Sequence, residues 1–385
     1  MSAHAPGPSL AIVRLVLTGF RNYASAALDC DTRPVVLTGP NGAGKTNILE
    51  AVSLLAPGRG LRRATLAELR RIPPGDAPWA VAARLATPAG VLELGTGLDP
   101  DGGERRLVRI NGAPASGPAA LAEHVAIAWM TPAMDRLFAD GASARRRFLD
   151  RIVLSLHHGH GREVAAYEAA MRERNALLAQ PGRVDGAWAA AVEDRMAAHG
   201  VAVAAARREA VGALEAQISD RPASAFPRAA IALEGLLEGW LATASALDAE
   251  ERFRALLADT RGRDGAAGRT LDGPHRSDLL VRHAEKNMPA NQCSTGEQKA
   301  LLAGLVLAHA GLVDARLGLA PILLLDEVAA HFDSARRAAL LDAIAGLSAQ
   351  AWLTGTDAGL FEALGRRGQF FTVMPGGLVS ASANA

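Results

Sequence analysis

The sequence predicts an α/β fold that carries an antiparallel side sheet and an inserted all-α lobe. A short apolar strand predicted at 34–38 runs into a glycine-rich turn, and helical spacing follows at 47–55. A second apolar strand, predicted at 321–325, is typical of a buried parallel sheet. Between these strands, residues 143–258 are rich in Ala, Leu, Arg and Glu and contain few turn signals, which indicates helices.

The remaining elements are predicted from alternation and turn chemistry. Alternating residues favour a strand at 11–17. Three strands at 79–85, 91–98 and 105–110 are separated by turn sequences, so we expect a small antiparallel meander. Beyond the helical region the pattern predicts a Gly-rich polar linker at 261–268, a strand at 278–282, a long helix from Thr295 and a disordered tail at 380–385.

The composition is that of a globular protein. The 385 residues are 49% hydrophobic and 21% charged, with a formal net charge of +1, so any contact with nucleic acid must be local. No uninterrupted apolar run reaches the roughly 18 residues of a membrane span. Residues 1–10 lack the charged and apolar regions of an export signal. We therefore expect a soluble, cytoplasmic protein without a membrane partner.

The glycine-rich turn fits the phosphate-binding pattern GxxxxGK[ST] and has the preceding strand and following helix that this pattern requires. Glycines let consecutive backbone N–H groups converge on phosphates, and the helix N-terminus adds positive potential. Lys45 is expected to reach the β and γ phosphates and the Thr46 hydroxyl to bind Mg²⁺. The predicted nucleotide-binding residues are Gly39, Pro40, Asn41, Gly42, Ala43, Gly44, Lys45 and Thr46. The sequence thus predicts a P-loop NTPase with ATP and Mg²⁺ as cofactors.

Two acidic residues follow the strand at 321–325 directly. Asp326, at the carboxyl end of the strand, is expected to hold Mg²⁺ together with Thr46. Glu327 is expected to be the catalytic base that takes a proton from the attacking water. An acid that only caps the next helix is the alternative, and a phosphate loop in the same chain favours the catalytic interpretation.

The segment Ser294–Lys299 resembles the signature motif of the ATP-binding-cassette superfamily. Ser294 suits a helix N-cap, Gly296 allows close backbone approach to a phosphate, and the following helix directs its positive end toward that phosphate. An ordinary capping box between Ser294 and Glu297 gives the same pattern, and both interpretations are compatible. In that superfamily the motif faces the nucleotide of a partner subunit. The resemblance therefore implies an ABC-type ATPase head that forms an ATP-dependent homodimer.

Two residues that are usual in cassette ATPases are missing. The superfamily carries a Gln near Mg²⁺ and the attacking water, whereas no Gln precedes Gln180 here. It also commonly carries a His after the strand that follows the two acids, whereas this position reads Thr354-Gly355-Thr356-Asp357. Both departures predict slow hydrolysis, and Thr354, Thr356 and His331 stay open as the sensor of the γ-phosphate.

A narrower resemblance is carried by six segments over nearly the whole chain: Leu15–Tyr23, Gly39–Glu50, Arg145–Asp150, Tyr167–Leu178, Gly273–Leu279 and Ser294–Lys299. In this order they resemble the RecF family of bacterial recombination mediators, which are related to SMC ATPase heads. The segment Thr131–Asp135 departs from the family pattern. The resemblance implies ATP binding, DNA binding at gaps and at single-strand/duplex junctions, loading of RecA together with RecO and RecR, and support of SOS induction. It also implies a weak, DNA-stimulated ATPase without nuclease or helicase activity.

These motifs suggest three segments. We expect an N-terminal part of the ATPase lobe at 1–140, with the phosphate loop and the meander. An inserted helical lobe follows at 141–270. The C-terminal part of the head, at 271–385, carries the signature helix and both acids.

The DNA contacts are predicted from arginine placement. Candidate contacts to DNA phosphates are Arg59, Arg62, Arg63, Arg70 and Arg71, which follow the phosphate-loop helix. A solvated face in an arginine-rich chain is the alternative. His275 and Arg276 either contact the region of the phosphate loop or only order their own turn. Another SMC-like ATPase or a transporter-type ATPase is the alternative function, and the long interval between Lys45 and Ser294 argues against a transporter.

Overall fold

The computed structural model describes residues 10–71, 78–99, 105–180, 185–221, 225–375 and 377–381. The chain forms two compact units. Unit 1 comprises Met1–Asp135, Pro222–Pro227 and Thr295–Ala385, and unit 2 comprises Arg136–Arg221 and Arg228–Ser294. Unit 2 therefore extends to residue 294, whereas the insertion predicted from the sequence ends at 270.

The strands are β1 (Ala11–Phe20), β2 (Tyr23–Asp29), β3 (Val35–Thr38), β4 (Ala80–Thr87), β5 (Gly90–Leu98), β6 (Arg106–Ile110), β7 (Ala113–Pro114), β8 (Ile127–Met130), β9 (Ala229–Glu234), β10 (Asp278–His283), β11 (Met288–Pro289), β12 (Ile322–Leu325), β13 (Ala351–Gly355), β14 (Gln369–Met374) and β15 (Gly377–Ala381). The α-helices are α1 (Lys45–Ser53), α2 (Ala142–Leu156), α3 (His160–Leu178), α4 (Gly186–Asp220), α5 (Leu236–Trp240), α6 (Ala246–Asp259), α7 (Arg261–Ala266), α8 (Thr295–Leu317) and α9 (Ser334–Ala345).

The main sheet of unit 1 is assembled from both ends of the chain. Its order is β15-β14-β3-β13-β12-β8. All neighbours from β14 to β8 are parallel, and β15 is antiparallel to β14. Every residue of β3, β12 and β13 is buried, which explains why these strands are continuous apolar runs. Their carboxyl ends meet at one edge of the sheet, the usual place for a ligand in an α/β fold.

The second sheet of unit 1 is antiparallel, with the order β2-β1-β4-β5-β6-β7. It contains the predicted meander as β4 to β6. Side chains from both sheets and from α1 share one hydrophobic core, for example Leu17, Leu37 and Ile48. Buried Arg106 on β6 donates to the carbonyl groups of Leu54 and Gly58, just beyond the end of α1. This contact holds the end of the phosphate-loop helix against the side sheet. The predicted α/β fold class with an antiparallel side sheet and a helical insertion is confirmed.

Unit 2 consists of α2 to α7 and a small antiparallel sheet of order β11-β10-β9. Apolar side chains of α3, α4 and α6 form its core, with Tyr167, Met196 and Phe253 at the centre. Arg174 is fully buried and pairs with Glu193 and Asp264 at 3.0 and 2.8 Å. This pairing compensates the cost of burying the guanidinium.

The structure corrects several sequence predictions. The predicted linker at 261–268 is largely helix α7, because its Asp264 is buried against Arg174. Strand β9 lies within a region predicted to be helical, and β2 and β8 had not been predicted. The predicted disordered tail begins at 380, whereas β15 extends to Ala381; residues 382–385 lie outside the described residues.

Helix α8 is a core element of unit 1. Within the described residues it is the one helix long and apolar enough to cross a membrane by length and composition, although no uninterrupted apolar run of that length exists in the sequence. In the structure 67% of its most apolar window is buried, and burial on this scale is typical of a helix in a globular core.

Candidate nucleotide-binding site

The phosphate loop connects the carboxyl end of β3 to the first turn of α1. Its glycines have positive φ angles of 146° at Gly39, 79° at Gly42 and 112° at Gly44. A Cβ atom at Gly39 would lie 2.1 Å from the carbonyl oxygen of Val373, and one at Gly44 would lie 2.5 Å from the Asn22 amide nitrogen. The backbone conformation and the close neighbours both require glycine at these two positions.

A cavity of about 170 Å³ opens above this loop. Its wall includes the loop residues Asn41, Gly42, Gly44, Lys45 and Thr46, together with Asn47, Arg62 and Glu327. The Lys45 ammonium group donates to the carbonyl oxygens of Gly39 and Pro40 at 2.7 and 3.0 Å. Burial lowers the pKa of Lys45, and the negative charges of Glu327 and Asp326 partly oppose this. Lys45 is therefore held close to the position where a phosphate would enter.

The structure brings Thr46 and Asp326 together although 280 positions separate them in the chain. The Thr46 hydroxyl donates to the two carboxylate oxygens of Asp326 at 2.9 and 3.1 Å. Asp326 is buried at the end of β12, next to β8 and β13. A hydroxyl and a carboxylate are hard oxygen donors of the kind that Mg²⁺ prefers, so these two residues fit the predicted metal site.

Thr354 connects the two acids. It lies on β13 with an exposed fraction of 1%. Its hydroxyl donates to Asp326 at 2.7 Å and accepts the backbone N–H of Glu327 at 2.9 Å. Glu327 has a left-handed backbone with φ 53°, which is uncommon for a residue with a side chain. Thr354 therefore holds the Asp326 carboxylate and the Glu327 backbone in place. Thr356 is exposed, and the His331 side chain lies outside the described set.

A turn between β1 and β2 holds the phosphate loop from the side, and sequence reasoning had used it only as a family motif. The Asn22 amide donates to the Ala43 carbonyl at 3.0 Å and accepts from the Asn47 amide at 2.7 Å. Arg21 makes a two-pronged ion pair with buried Glu50 at 2.7 and 2.8 Å. This turn joins the loop, helix α1 and the side sheet. An Arg-Asn pair immediately after a strand and ahead of a phosphate loop is the signal that could have identified it.

The five predicted DNA-contact arginines divide into different environments. Arg62 lines the phosphate cavity, where it contacts Asn47 at 2.7 Å and Glu50 at 3.2 Å. Arg59, Arg63 and Arg70 are exposed, and Arg71 is half-buried. Arg62 therefore lies in the wall of the cavity above the phosphate loop, while Arg59, Arg63 and Arg70 face solvent.

The signature segment is positioned by the first turn of α8. Helix α8 begins at Thr295, so Ser294 precedes it and Gly296 is in its first turn. Neither Ser294 nor Gly296 lines the cavity. The Lys299 ammonium group is buried 3.4 Å from Asp135, which belongs to the segment that departs from the family pattern. That segment ties the signature helix to the end of β8.

Comparison with known proteins places the chain in a family. A DNA replication and repair protein RecF from Rhizobium rhizogenes is 55% identical over 96% of this chain and 98% of its own length. The protein of the same name from Agrobacterium fabrum is 53% identical over 96% of this chain and 99% of its own length. The chain belongs to the RecF family.

Two further comparisons agree with the RecF fold. A family model described as "AAA domain, putative AbiEii toxin, Type IV TA system" matches residues 35–107. A solved structure of the recombination mediator protein RecF with ATPrS superposes with a TM-score of 0.84 at 20% identity, covering 99% of this chain and 100% of that one. An Smc head domain from Pyrococcus furiosus gives a TM-score of 0.54 at 16% identity, covering 97% and 96%. The fold is thus that of a RecF protein and is similar to an SMC head.

Proposed function

We propose that this chain is an ATP-dependent DNA-binding switch of replication and recombinational repair. The observation that carries the proposal is the meeting of Thr46, Asp326 and Glu327 at the phosphate loop, in a chain of the RecF family. A solved RecF neighbour of the same fold is named as an ATP complex, which supports ATP as the nucleotide.

In this proposal each residue of the site has a separate task. The loop N–H groups and Lys45 bind the phosphates, and Thr46 and Asp326 hold Mg²⁺. When bound, Mg²⁺ neutralises charge on the phosphates. Glu327 accepts the proton of the attacking water, and Thr354 keeps its backbone in place. Hydrolysis is slow, because the sequence offers no Gln or His at the usual positions to orient that water.

The signature segment completes the site of a second copy. Ser294 is exposed and Gly296 is half-buried, and a Cβ atom at Gly296 would meet an Arg336 nitrogen at 3.9 Å, an ordinary contact distance. Together with the position of Ser294 and Gly296 outside this chain's own cavity, this supports binding of a partner's γ-phosphate. ATP then closes a homodimer, and hydrolysis reopens it. To change the ratio of closed to open form from 1:99 to 99:1, ATP must bind the closed form about 10⁴-fold more tightly than the open form. The two equivalent sites of the dimer share this difference in affinity.

The exposed arginines Arg59, Arg63 and Arg70 support contact with DNA phosphates at gaps and junctions. Arg62 belongs to the same segment and lines the phosphate cavity, so it is suited to transmit DNA binding to the ATPase. We further infer that the protein acts in the cytoplasm with RecO and RecR to load RecA and to support SOS induction.

The proposal is tested on the full chain by measuring sedimentation and binding to gapped duplex DNA together. Glu327→Gln with Mg²⁺ and ATP is expected to accumulate as a dimer that retains DNA, whereas wild type returns to monomer as ATP is consumed. Lys45→Ala is the matched control, and it should neither dimerise with ATP nor retain DNA. If Glu327→Gln stays monomeric at saturating ATP, the switch mechanism is wrong.

A further inference from the structure

The turn at 273–278 lies in unit 2, immediately before β10, and the nucleotide site does not use it. Residues Pro274–Arg276 form a short 3₁₀ turn. Gly273 begins it with φ 135°, and a Cβ atom there would lie 2.3 Å from the Tyr167 hydroxyl. This position therefore accepts only glycine.

Side chains fix this turn from one side. The Tyr167 hydroxyl and His275 Nδ1 are 2.7 Å apart, and the two rings are stacked. The other ring nitrogen of His275 lies 3.1 Å from the Thr270 carbonyl oxygen. The sequence left two roles open for His275: contact with the region of the phosphate loop, or ordering of its own turn. These contacts favour the second role.

Further contacts fix the turn from the other side. Arg207 donates to the Pro274 carbonyl at 2.6 Å. The buried Ser277 hydroxyl donates to Glu238 at 2.6 Å, and Asp278 makes a two-pronged ion pair with Arg145 at 2.7 and 2.8 Å. Every side chain from Pro274 to Asp278 except one is therefore buried or committed to an internal contact.

The exception is Arg276. It is exposed, and within the part of the chain that the structure describes it forms no hydrogen bond or ion pair through its side chain. The neighbouring Arg146 on α2 donates to the Ser277 carbonyl at 2.7 Å and has no ion pair with a carboxylate of the described residues. Burial lowers the pKa of Arg146; the positive charges of Arg207 and Arg276 add to this effect, and the negative charges of Asp278 and Asp150 oppose it. Arg276 and Arg146 thus lie near each other with guanidinium groups that no carboxylate of the described residues pairs with.

We propose that Arg276 and Arg146 form a binding site for a phosphate group of the nucleic-acid backbone. The inference rests on the proposed DNA-binding function and adds a contact on unit 2 to the arginines that follow the phosphate loop in unit 1. A guanidinium group offers two parallel N–H donors that match a phosphate. A rigid turn that presents one arginine loses little conformational entropy on binding. An acidic protein surface offers similar charges, and the curated relatives, named for DNA replication and repair, favour DNA.

The test uses the full chain, saturating ATP and a fluorescein-labelled gapped duplex, with affinity measured by anisotropy at several salt concentrations. Arg276→Gln and Arg146→Gln are each expected to weaken binding roughly 5- to 20-fold and to reduce the salt slope by about one. Arg172→Gln removes the same charge from an exposed arginine of unit 2 that pairs with Glu168, and we expect it to bind like wild type. ATP affinity should be unchanged in all three variants, because none of these residues lines the phosphate cavity.

The outcomes separate the two proposals. If wild type binds DNA and Arg276→Gln binds equally well, this site is wrong and the DNA-binding switch stands. If Arg172→Gln loses as much affinity as Arg276→Gln, the effect is general charge and the site is again wrong. If wild type does not bind the duplex in any nucleotide state, the proposed function fails and this site fails with it.

Discussion

Replacing Thr354 by Val tests whether this buried hydroxyl organises the two acids. The substitution keeps the side-chain shape and removes the hydroxyl that contacts both Asp326 and the Glu327 N–H. Thr46 still donates to Asp326 in the variant, so the phosphate loop itself is left intact. The change is therefore directed at the orientation of the acids.

The expected magnitude follows from the two lost contacts. Leaving the partly buried Glu327 N–H without an acceptor should lower the free energy of unfolding by about 1–3 kcal/mol. Loss of a partner that orients a metal-binding carboxylate typically weakens metal affinity about 10- to 100-fold. We therefore expect Thr354→Val to need about 10- to 100-fold more Mg²⁺ for half-maximal ATP binding.

The measurement is ATP affinity by calorimetry over a Mg²⁺ titration, with urea unfolding of the same samples. Thr354→Ser is the control, since it retains the hydroxyl and loses only a methyl group, and its Mg²⁺ requirement should stay near that of wild type. Equal Mg²⁺ requirements in wild type and Thr354→Val would refute the role assigned to this hydroxyl. If Thr354→Ser needed as much Mg²⁺ as Thr354→Val, the role would be refuted too, because loss of the methyl group would then explain the higher Mg²⁺ requirement.

Three further predictions concern the loop and unit 2. Lys45→Ala should weaken ATP binding by at least about 100-fold in calorimetry, since it removes the charge that meets the phosphates; near-normal affinity would mean that the phosphate site is misplaced. Gly44→Ala should weaken ATP binding by roughly 100-fold and Gly42→Ala by roughly 10-fold. The reason is that a Cβ atom at Gly44 meets Asn22, whereas one at Gly42 meets nothing within 4 Å. Equal effects would contradict the role of Asn22 in holding the phosphate loop. Burial lowers the pKa of His275 below its ordinary 6.5. The unfolded chain therefore binds a proton at this imidazole more tightly than the folded chain does, and the folded protein loses stability as the pH falls through 6.5. The thermal midpoint of His275→Gln should accordingly depend less on pH than that of wild type between about pH 7.5 and 5, and parallel curves by circular dichroism would reject this assignment.

The sequence predicted the elements whose chemistry is local. A glycine-rich turn between a strand and a helix needs only a short window to be recognised, and the buried apolar strand ending at Asp326 gives a similarly strong signal. The meander was predicted because each of its strands is bounded by turn residues. These are also the parts of the site where the predicted residues come together, at Thr46 and Asp326.

The elements that were missed depend on contacts distant in sequence. Strand β9 has the composition of a helix and becomes a strand because it pairs along its length with β10. Helix α7 contains two glycines and forms around Asp264, which Arg174 binds from another helix. The tasks of Thr354 and Arg62 also follow from tertiary contacts. No periodicity in a short window reports such neighbours.

The order of the main sheet has a consequence for how the protein is made. Strand β3, which leads into the phosphate loop, is hydrogen-bonded only to β13 and β14 within the described residues. The ribosome adds these partners roughly 300 residues later, about 15–60 s at ordinary elongation rates. The phosphate loop therefore gains its support from the main sheet only after β13 and β14 have been synthesised. A chain truncated before residue 351 keeps the strands of the side sheet but lacks both strands that pair with β3.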